Sequence, residues 1–244
     1  MTGQGAQGFP RLDAVGLDGV LVRFADDLSE AANRAALAFS AALERDTPDG
    51  VEECSTSLVS AYVRFDPLAV GVDQIHAALS QRLAEHDWYA ADLPSGRRRV
   101  SIPTVYGGRH GPQLAEAAQA AGLSEQEAIA SLSQAEVRVT TIGFAPGQPY
   151  LGTLPEVWDI PRQTGLTPQV PVGALVVAIR QLVLFSVTTP TGWRHVGQTH
   201  ARLFRPDHDQ PFLLRAGDVV RFPAISAEAF DTMKDDGVTV EALT

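Results

Sequence analysis

The segment from residue 143 to residue 173 constrains the fold most strongly, because it contains 5 Gly and 6 Pro in 31 residues. Proline removes a backbone donor and glycine weakens regular elements, so this density excludes a helix or a long uninterrupted strand. Large apolar side chains are interspersed along the segment, among them Phe144, Tyr150 and Trp158. A long loop with packed side chains of its own is typical of a functional or interfacial element.

The residues before and after this segment differ in pattern. From Asp18 onward, period-2 alternation at Val20, Val22 and Phe24 and later helical spacing of apolar residues predict the order β-α-β-β-α, which indicates a ferredoxin-like layer. After residue 173, short β-rich runs separated by Gly and Pro predict a closed or nearly closed barrel. The fold class is therefore α+β followed by all-β.

The expected organisation has four parts. Residues 1–16 are expected to form a flexible tail, 17–95 the ferredoxin-like α/β domain, 96–226 the β-barrel domain with a helical insertion at 112–133, and 227–244 a C-terminal helix and tail. The sequence leaves open whether the strand near Val100–Val105 closes the first sheet or begins the second domain.

The composition excludes several classes of function. The chain carries 19 basic and 29 acidic residues, a net charge of −10, and an anionic chain gains nothing from counterion release on a phosphate backbone, so nucleic-acid binding is not expected. Cys54 is the single cysteine and Lys234 the single lysine. This excludes an internal disulfide, an all-cysteine metal site and a Walker-type phosphate loop.

Neither a metal site nor a membrane segment is expected. No group of His and carboxylate residues has the spacing of metal ligands. No stretch reaches about 18 consecutive apolar residues, and no basic flank with an apolar run opens the sequence. These observations favour a cytoplasmic protein.

Three stretches are candidates for a binding site. The first, residues 143–152, is stiffened by Pro146 and made permissive by Gly147, and its backbone N–H groups are suited to hold an anion or a carbonyl oxygen. The alternative is a plug of the barrel in which Phe144 and Tyr150 are core anchors.

The second stretch contains Arg162, which follows Pro161 and offers a planar fork to a carboxylate or phosphate unless it bonds to nearby carbonyls. The third runs from Pro190 to Thr199, and its Trp193 either stacks on a ligand or belongs to the core.

Motifs in a fixed order along the chain resemble one family. They are Gly143-Phe144-Ala145-Pro146-Gly147 with Tyr150-Leu151-Gly152, Pro161-Arg162, Val170-Pro171-Val172-Gly173, Gly192-Trp193, Val196-Gly197-Gln198-Thr199 and Leu214-Arg215-Ala216-Gly217-Asp218-Val219-Val220-Arg221-Phe222. The chain resembles the family of 5-oxoprolinase B subunits, also described as KipI-like or allophanate hydrolase subunit 1. The same module is similar to half of the carboxyltransferase domain of urea amidolyase.

The resemblance implies an α/β N-terminal domain, a cyclophilin-like barrel and pairing with a sister subunit of similar barrel fold. The family's activity is ATP-dependent opening of 5-oxo-L-proline to L-glutamate with a third subunit, so the expected cofactor is ATP, bound here or on a partner. One branch of the family instead inhibits a sporulation histidine kinase. The amidolyase branch transfers a carboxyl group from biotin to urea.

Several positions depart from the motifs of the family. Gln148 stands where members generally carry Phe, and Leu166-Thr167 stands where the family has a second Pro-Arg pair. Of the family's Gln-Thr-Gly-Ile-Tyr-Pro run, this chain keeps little more than Gln181. These departures indicate a loss of hydroxyls and donors, which fits a kept fold with altered or lost chemistry.

The resemblance therefore predicts a subunit of an ATP-dependent 5-oxoprolinase-type amidohydrolase that works at an interface with its sister subunit. The candidate catalytic residues are Arg162, Gln181 and Tyr150, and the candidate substrate-binding residues are Phe144, Pro146, Gly147, Trp193 and Thr199. The alternatives are a non-catalytic regulatory subunit of the kinase-inhibitor type and a carboxyltransferase-type subunit of a urea amidolyase-like system. The sequence leaves open whether the chain is an enzyme.

Overall fold

The computed structural model describes residues 8–243, which form two compact units, one ending at Ser95 and the other beginning at Gly96. Each unit has its own hydrophobic core. None of the helices within 8–243 is long and apolar enough to span a membrane.

The N-terminal unit is a four-stranded antiparallel sheet with two helices. Its elements are β1 (Arg11–Val15), β2 (Gly19–Arg23), α1 (Glu30–Arg45), β3 (Val51–Ser57), β4 (Ser60–Phe65) and α2 (Val72–Ala84). The strand order is β1-β2-β4-β3. Helix α1 begins where the Ser29 hydroxyl accepts a hydrogen bond from the Ala32 amide at 3.2 Å, and it buries Phe39 and Leu43 against the sheet.

The expectation that residues 1–16 form a flexible tail is wrong for Arg11–Val15. These residues pair with β2 in full register, from Arg11 opposite Arg23 to Val15 opposite Gly19. They occupy the edge of the sheet beside β2, so the predicted β-α-β-β-α run gains its fourth strand from the N-terminal side. Residues 1–7 lie outside the described residues. The ferredoxin-like assignment stays a prediction.

The C-terminal unit is built on a curled nine-stranded sheet. Its elements are β5 (Arg98–Ser101), β6 (Val105–Tyr106), α3 (Leu114–Ala120), α4 (Glu125–Gln134), β7 (Val137–Ile142), β8 (Pro149–Gly152), β9 (Thr167–Val170), β10 (Ala174–Ala178), β11 (Gln181–Leu184), β12 (Thr189–Thr191), β13 (Arg194–Gln198), β14 (Val219–Arg221), α5 (Ala227–Thr232) and β15 (Thr239–Ala242). The order in the large sheet is β15-β5-β14-β7-β8-β11-β10-β13-β6, and β9 and β12 form a separate two-stranded ribbon. The sheet is a half-barrel with edge strands β15 and β6, so the cyclophilin-like detail of the closed barrel stays a prediction.

Two elements differ from the expected layout. The segment 143–173 is not loop throughout, because β8 pairs with both β7 and β11 and β9 pairs with β12. Pro149 is tolerated as the first residue of its strand. The predicted C-terminal helix and tail is also corrected, since the helix ends at Thr232 and Thr239–Ala242 adds a strand to β5.

Strand alternation gives the large sheet two buried faces. On one face, Leu151, Leu175 and Leu182 pack under α3 and α4 in the main core, together with the fully buried Trp158. On the other face, a smaller cluster contains Val176, Val183, Phe185 and Trp193 together with Val170 of the β9–β12 ribbon. The candidate site lies on this second face.

A buried ion pair ties β5 to the turn before β14. The Asp218 carboxylate, 2% exposed, accepts hydrogen bonds from the Arg98 amide (3.1 Å), the Arg98 side chain and the Arg215 amide (2.9 Å). Arg98 also donates to the Leu213 carbonyl at 2.9 Å. With one partner removed, the other would remain as a buried charge without compensation.

We expect Asp218→Asn to lower the free energy of unfolding by about 3 kcal/mol, because the Arg98 guanidinium loses its buried counter-charge. Urea denaturation of the full chain measures this. The matched control is Glu136→Gln, which breaks exposed ion pairs with Arg99 and Arg221 and should cost less than about 1 kcal/mol. Equal losses in the two variants would contradict the assignment.

Candidate functional site

A cavity of about 240 Å³ opens on the second face of the large sheet. Its floor is made by neighbouring strands, because Tyr150 of β8 lies opposite Val183 of β11 in the antiparallel register. Phe185 continues the floor, and Trp193 closes one side. The ring of Tyr150 meets that of Trp193 edge-on, with 6.4 Å between centroids. We call this cavity the sheet-face pocket.

The β7–β8 loop, residues 143–148, forms one rim of the pocket. Two internal hydrogen bonds fix it, from the Gly143 amide to the Gln148 carbonyl (3.0 Å) and from the Gln148 amide to the Ala145 carbonyl (3.1 Å). The amides of Phe144, Ala145 and Gly147 have no hydrogen-bond partner within residues 8–243. The loop therefore combines a fixed shape with unused donors, as the sequence predicted.

Phe144 is not a core anchor. It lines the sheet-face pocket, its side chain is 72% exposed, and its φ is 72°. A positive φ is uncommon for a residue with a side chain, and the neighbouring bonds of the loop hold it there. The plug alternative is therefore wrong for Phe144, whereas Tyr150 does pack against the smaller cluster.

Gly147 allows the backbone of the β7–β8 loop to lie close to the backbone at Leu203. Its φ is 74°, and a Cβ placed there would lie 2.7 Å from the carbonyl oxygen of Leu203. Only glycine fits this position without displacement of one segment. Gly147 is buried and does not line the pocket.

Arg162 stands at the mouth of the pocket with its guanidinium free. The side chain is exposed, and its Cζ lies 5.1 Å from the centroid of the Trp193 ring, within cation–π range. No ion pair or hydrogen bond engages it anywhere in the described part of the chain. The alternative in which Arg162 bonds to nearby carbonyls is therefore wrong.

The residues on either side of Arg162 are held tightly. The Pro161 carbonyl accepts a hydrogen bond from the Arg194 guanidinium at 2.6 Å, and the Gln163 amide donates to the Gly192 carbonyl at 2.8 Å. The Gln163 side chain donates to the Trp193 carbonyl at 3.0 Å. Arg162 is thus positioned by its neighbours rather than by its own bonds. We call these contacts the Arg162 clamp.

The clamp continues into the helical insertion. Gln113, just before α3, donates to the Gln163 side chain at 2.7 Å and accepts from the His195 amide at 2.9 Å. Arg194 donates to Glu116 of α3 at 2.9 Å. The sequence did not single out Gln113 or Gln163, and it included Arg194 only as part of the stretch from Pro190 to Thr199. Residue type alone carries no signal of this role.

Three further candidates lie outside the lining of the pocket. Pro146 is exposed on the loop. Thr199 is buried; its hydroxyl donates to the Gly173 carbonyl at 3.2 Å and accepts from the Ala201 amide at 3.3 Å, so its role is structural. Gln181 lies on the same face of β11 as Val183 but two residues earlier, about 7 Å along the strand.

Gln148 is a polar residue of the pocket that was not among the candidate site residues predicted from the sequence. It is 1% exposed and lines the pocket, and its Oε1 accepts a hydrogen bond from the Ser186 amide at 3.4 Å. The sequence suggested that the departure at position 148 belongs to a set that removes donors from the site. The structure shows instead that this departure brings a carboxamide to the wall.

A larger cavity of about 500 Å³ lies in the N-terminal unit, between the C-terminal half of α1 and residues 86–95. Its Arg82 is already paired with Asp46 and Glu85. Arg45 also lines this cavity and is exposed. Size alone does not indicate a site, and we assign the smaller pocket because its arginine lies over the Trp193 ring and its polar groups converge with aromatic side chains. No cluster of three or more metal-binding side chains occurs among residues 8–243.

Comparison with known proteins gives a family match and several relatives. The family described as carboxyltransferase domain, subdomain C and D, matches residues 10–214. The 5-oxoprolinase B subunit of Bacillus subtilis (strain 168) is 33% identical over 236 residues, covering 93% of this chain and 97% of that protein.

Two solved structures extend the comparison. The crystal structure of TTHA0988 is 32% identical with a TM-score of 0.72, and the match covers 86% of this chain but 40% of that longer chain. The K. lactis urea amidolyase has a TM-score of 0.72 at 16% identity, covering 95% of this chain and 16% of that one. This second likeness concerns the fold alone.

We expect Gly147→Ala to destabilise the chain by about 1–3 kcal/mol, because the new Cβ meets the Leu203 carbonyl at a positive φ. Thermal and urea denaturation measure the loss. Gly143→Ala is the matched control in the same loop, since a Cβ there meets nothing within 4 Å. A Gly147 variant as stable as the control would show that the close approach is absent.

We also expect stability to fall with acid through His195. Burial lowers the pKa of this imidazole from its ordinary 6.5, and its Nε2 lies 3.0 Å from the Gly197 carbonyl oxygen. Just below pH 6.5 the unfolded chain binds a proton that the folded chain does not, so the free energy of unfolding decreases as the pH falls. His195→Gln should flatten this decrease between about pH 7 and pH 5. Parallel stability–pH curves for the two proteins would refute it.

Proposed function

This chain belongs to the carboxyltransferase domain family, subdomain C and D, and from that membership we propose that it is the B-type subunit of a 5-oxoprolinase-type complex. In this proposal the complex opens 5-oxo-L-proline to L-glutamate. The B. subtilis relative of nearly equal length, a 5-oxoprolinase B subunit by name, supports it. The structural observation that carries it is the unpaired Arg162 at the mouth of the sheet-face pocket.

The pocket has the size and polarity for a small anionic substrate. Its volume of about 240 Å³ is below the range of about 300–1,000 Å³ that drug-sized ligands occupy. 5-Oxo-L-proline is a five-membered lactam with one carboxylate. The planar guanidinium of Arg162 suits a carboxylate, and the Trp193 and Tyr150 rings suit the faces of a small ring.

In this proposal, the role of this chain is to bind the lactam and to polarise its ring carbonyl. When a nucleophile adds to a lactam carbonyl, negative charge grows on its oxygen, and fixed N–H donors stabilise that charge. The unused amide of Phe144, a residue of the pocket lining, is a donor of this kind. Because the loop is already held by its internal bonds, it needs little reorganisation as the charge develops.

The group that attacks the lactam is proposed to come from another subunit. The described lining of the pocket contains no His, Cys, Lys, Asp or Glu, and these are the side chains that usually act as nucleophile or general base. The B. subtilis relative carries the name of one subunit of an enzyme, which supports the presence of other subunits. The match covers 40% of the TTHA0988 chain, so in that protein this module is joined to additional sequence. We propose a sister barrel subunit and a third subunit as these partners.

ATP does not fit the sheet-face pocket. A triphosphate needs several donors and a divalent ion held by carboxylates, whereas this pocket offers one guanidinium and no carboxylate among its described residues. We therefore propose that ATP binds on a partner subunit, and no step on this chain is routed through it.

A non-catalytic regulatory role is the second candidate. The absence of His, Cys, Lys, Asp and Glu from the described lining favours it as well. In this alternative the pocket senses a small anion and the chain acts on a histidine kinase. Carboxyl transfer is a third possibility; the one lysine, Lys234, is exposed just after α5 rather than in a hairpin, so a biotin carrier would be separate.

We expect Arg162→Ala to lower ATP-dependent glutamate formation by the reconstituted complex at least about tenfold, because the described lining of the pocket then holds no cation. Arg162→Lys should recover part of the rate, since it keeps the charge but not the fork. The control is Arg202→Ala, an exposed arginine outside the pocket. Unchanged turnover in Arg162→Ala would remove the proposed role, and inhibition of a purified kinase without any lactam turnover would favour the regulatory alternative.

A further inference from the structure

The side chain of Gln148 is buried but not fully used. It is 1% exposed, yet it forms part of the wall of the sheet-face pocket. A carboxamide has two N–H donors and one carbonyl acceptor to satisfy, from the protein, from solvent or from a ligand. The fully buried side-chain atoms without a partner among residues 8–243 do not include Nε2 of Gln148, so this donor is accessible to a ligand.

One hydrogen bond defines how the carboxamide points. The Ser186 amide donates to Oε1 at 3.4 Å, and since an N–H donor requires an oxygen acceptor, the Nε2 group lies on the other branch of the amide. Among residues 8–243 no hydrogen bond engages Nε2. The backbone on which the side chain stands is fixed by the two internal bonds of the β7–β8 loop.

Two side-chain donors of the pocket differ in charge and in exposure. Arg162 at the mouth is cationic and exposed, and Gln148 in the wall is neutral and buried. Tyr150, Val183 and Trp193 add aromatic and aliphatic surface to the same lining. A ligand that satisfies all of these features has one negative group, a compact apolar body and a neutral acceptor.

We propose that Gln148 determines specificity by donating from Nε2 to the ring carbonyl of a small cyclic amide, while Arg162 binds its carboxylate. The inference rests on the proposed function for the identity of the ring. It gives Gln148 a binding role, whereas the replacement of the family's Phe by Gln148 had suggested lost chemistry. It requires two separate groups on the ligand, a ring carbonyl for Gln148 and a carboxylate for Arg162.

Three compounds separate the two demands. 5-Oxo-L-proline carries both groups, cyclopentanecarboxylate lacks the ring amide, and 2-pyrrolidinone lacks the carboxylate. Dissociation constants for the full-length chain are measured by ligand-observed NMR. We expect the wild-type chain to bind 5-oxo-L-proline about fivefold or more tightly than cyclopentanecarboxylate, the effect of about one hydrogen bond.

In Gln148→Met, an apolar side chain of similar length, this preference should fall to less than about twofold. The preference for 5-oxo-L-proline over 2-pyrrolidinone should persist there and disappear in Arg162→Ala. Gln169→Met, an exposed glutamine of β9 outside the pocket, is the control and should leave both ratios unchanged. Circular dichroism and the melting temperature establish that each variant is folded.

An undiminished preference for the ring carbonyl in folded Gln148→Met would overturn the inference, as would a wild-type chain that does not distinguish the three compounds. If Gln148→Met alone is misfolded, Gln148→Glu is measured at a pH high enough to ionise the carboxyl, which keeps the acceptor for the Ser186 amide and removes the donor. The ionised variant must then lose affinity for the neutral 2-pyrrolidinone, and retained affinity overturns the proposal. Failure of the proposed function is seen separately. Selective binding without turnover by the complex would remove the hydrolase role and keep the Gln148 assignment.

Discussion

The site depends on hydrogen bonds that hold the backbone on either side of Arg162, although none of them involves the Arg162 side chain itself. The Arg162 clamp engages the Pro161 carbonyl through Arg194 and the Gln163 amide through Gly192, so the backbone on both sides of the arginine is fixed. The guanidinium itself rests on the Trp193 ring and has no counter-charge in the described residues. Because the backbone of this residue is already fixed, only side-chain entropy is lost when the guanidinium binds an anion. The geometry of the pocket therefore follows from contacts that themselves touch no ligand.

Much of the fold is readable from residue pattern, and much of the site is not. The Gly and Pro content of residues 143–173 correctly excluded a helix there, and the helical spacing of apolar residues after Phe24 correctly indicated α1. Strand β8 was missed because its stability comes from partners on both sides, β7 and β11, rather than from its own four residues. The Gln113–Gln163 and Gln113–His195 contacts join residues 50 and 82 positions apart. Local propensity contains no information on such bonds, since they exist only once the sheet has formed.

Gln148 illustrates the limit of comparing motifs. A glutamine in place of an apolar residue reads as the loss of a family feature, and in the company of other departures it suggested altered or lost chemistry. The structure gives the same residue a buried, oriented carboxamide in the pocket wall. Thr199 shows the converse, because a residue within a matching motif holds the Gly173 carbonyl and the Ala201 amide instead of lining the site. The function of a position is set by what surrounds it in space.

The most direct test of the central claim is a crystal structure of the full-length chain with 5-oxo-L-proline. The account predicts the ligand in the sheet-face pocket, its carboxylate within hydrogen-bond distance of the Arg162 guanidinium and its ring carbonyl facing Gln148. The backbone of Pro161 and Gln163 should keep its present contacts with Arg194 and Gly192. A ligand found instead in the cavity of the N-terminal unit, or an Arg162 that turns away to pair with a carboxylate of the protein, would contradict it.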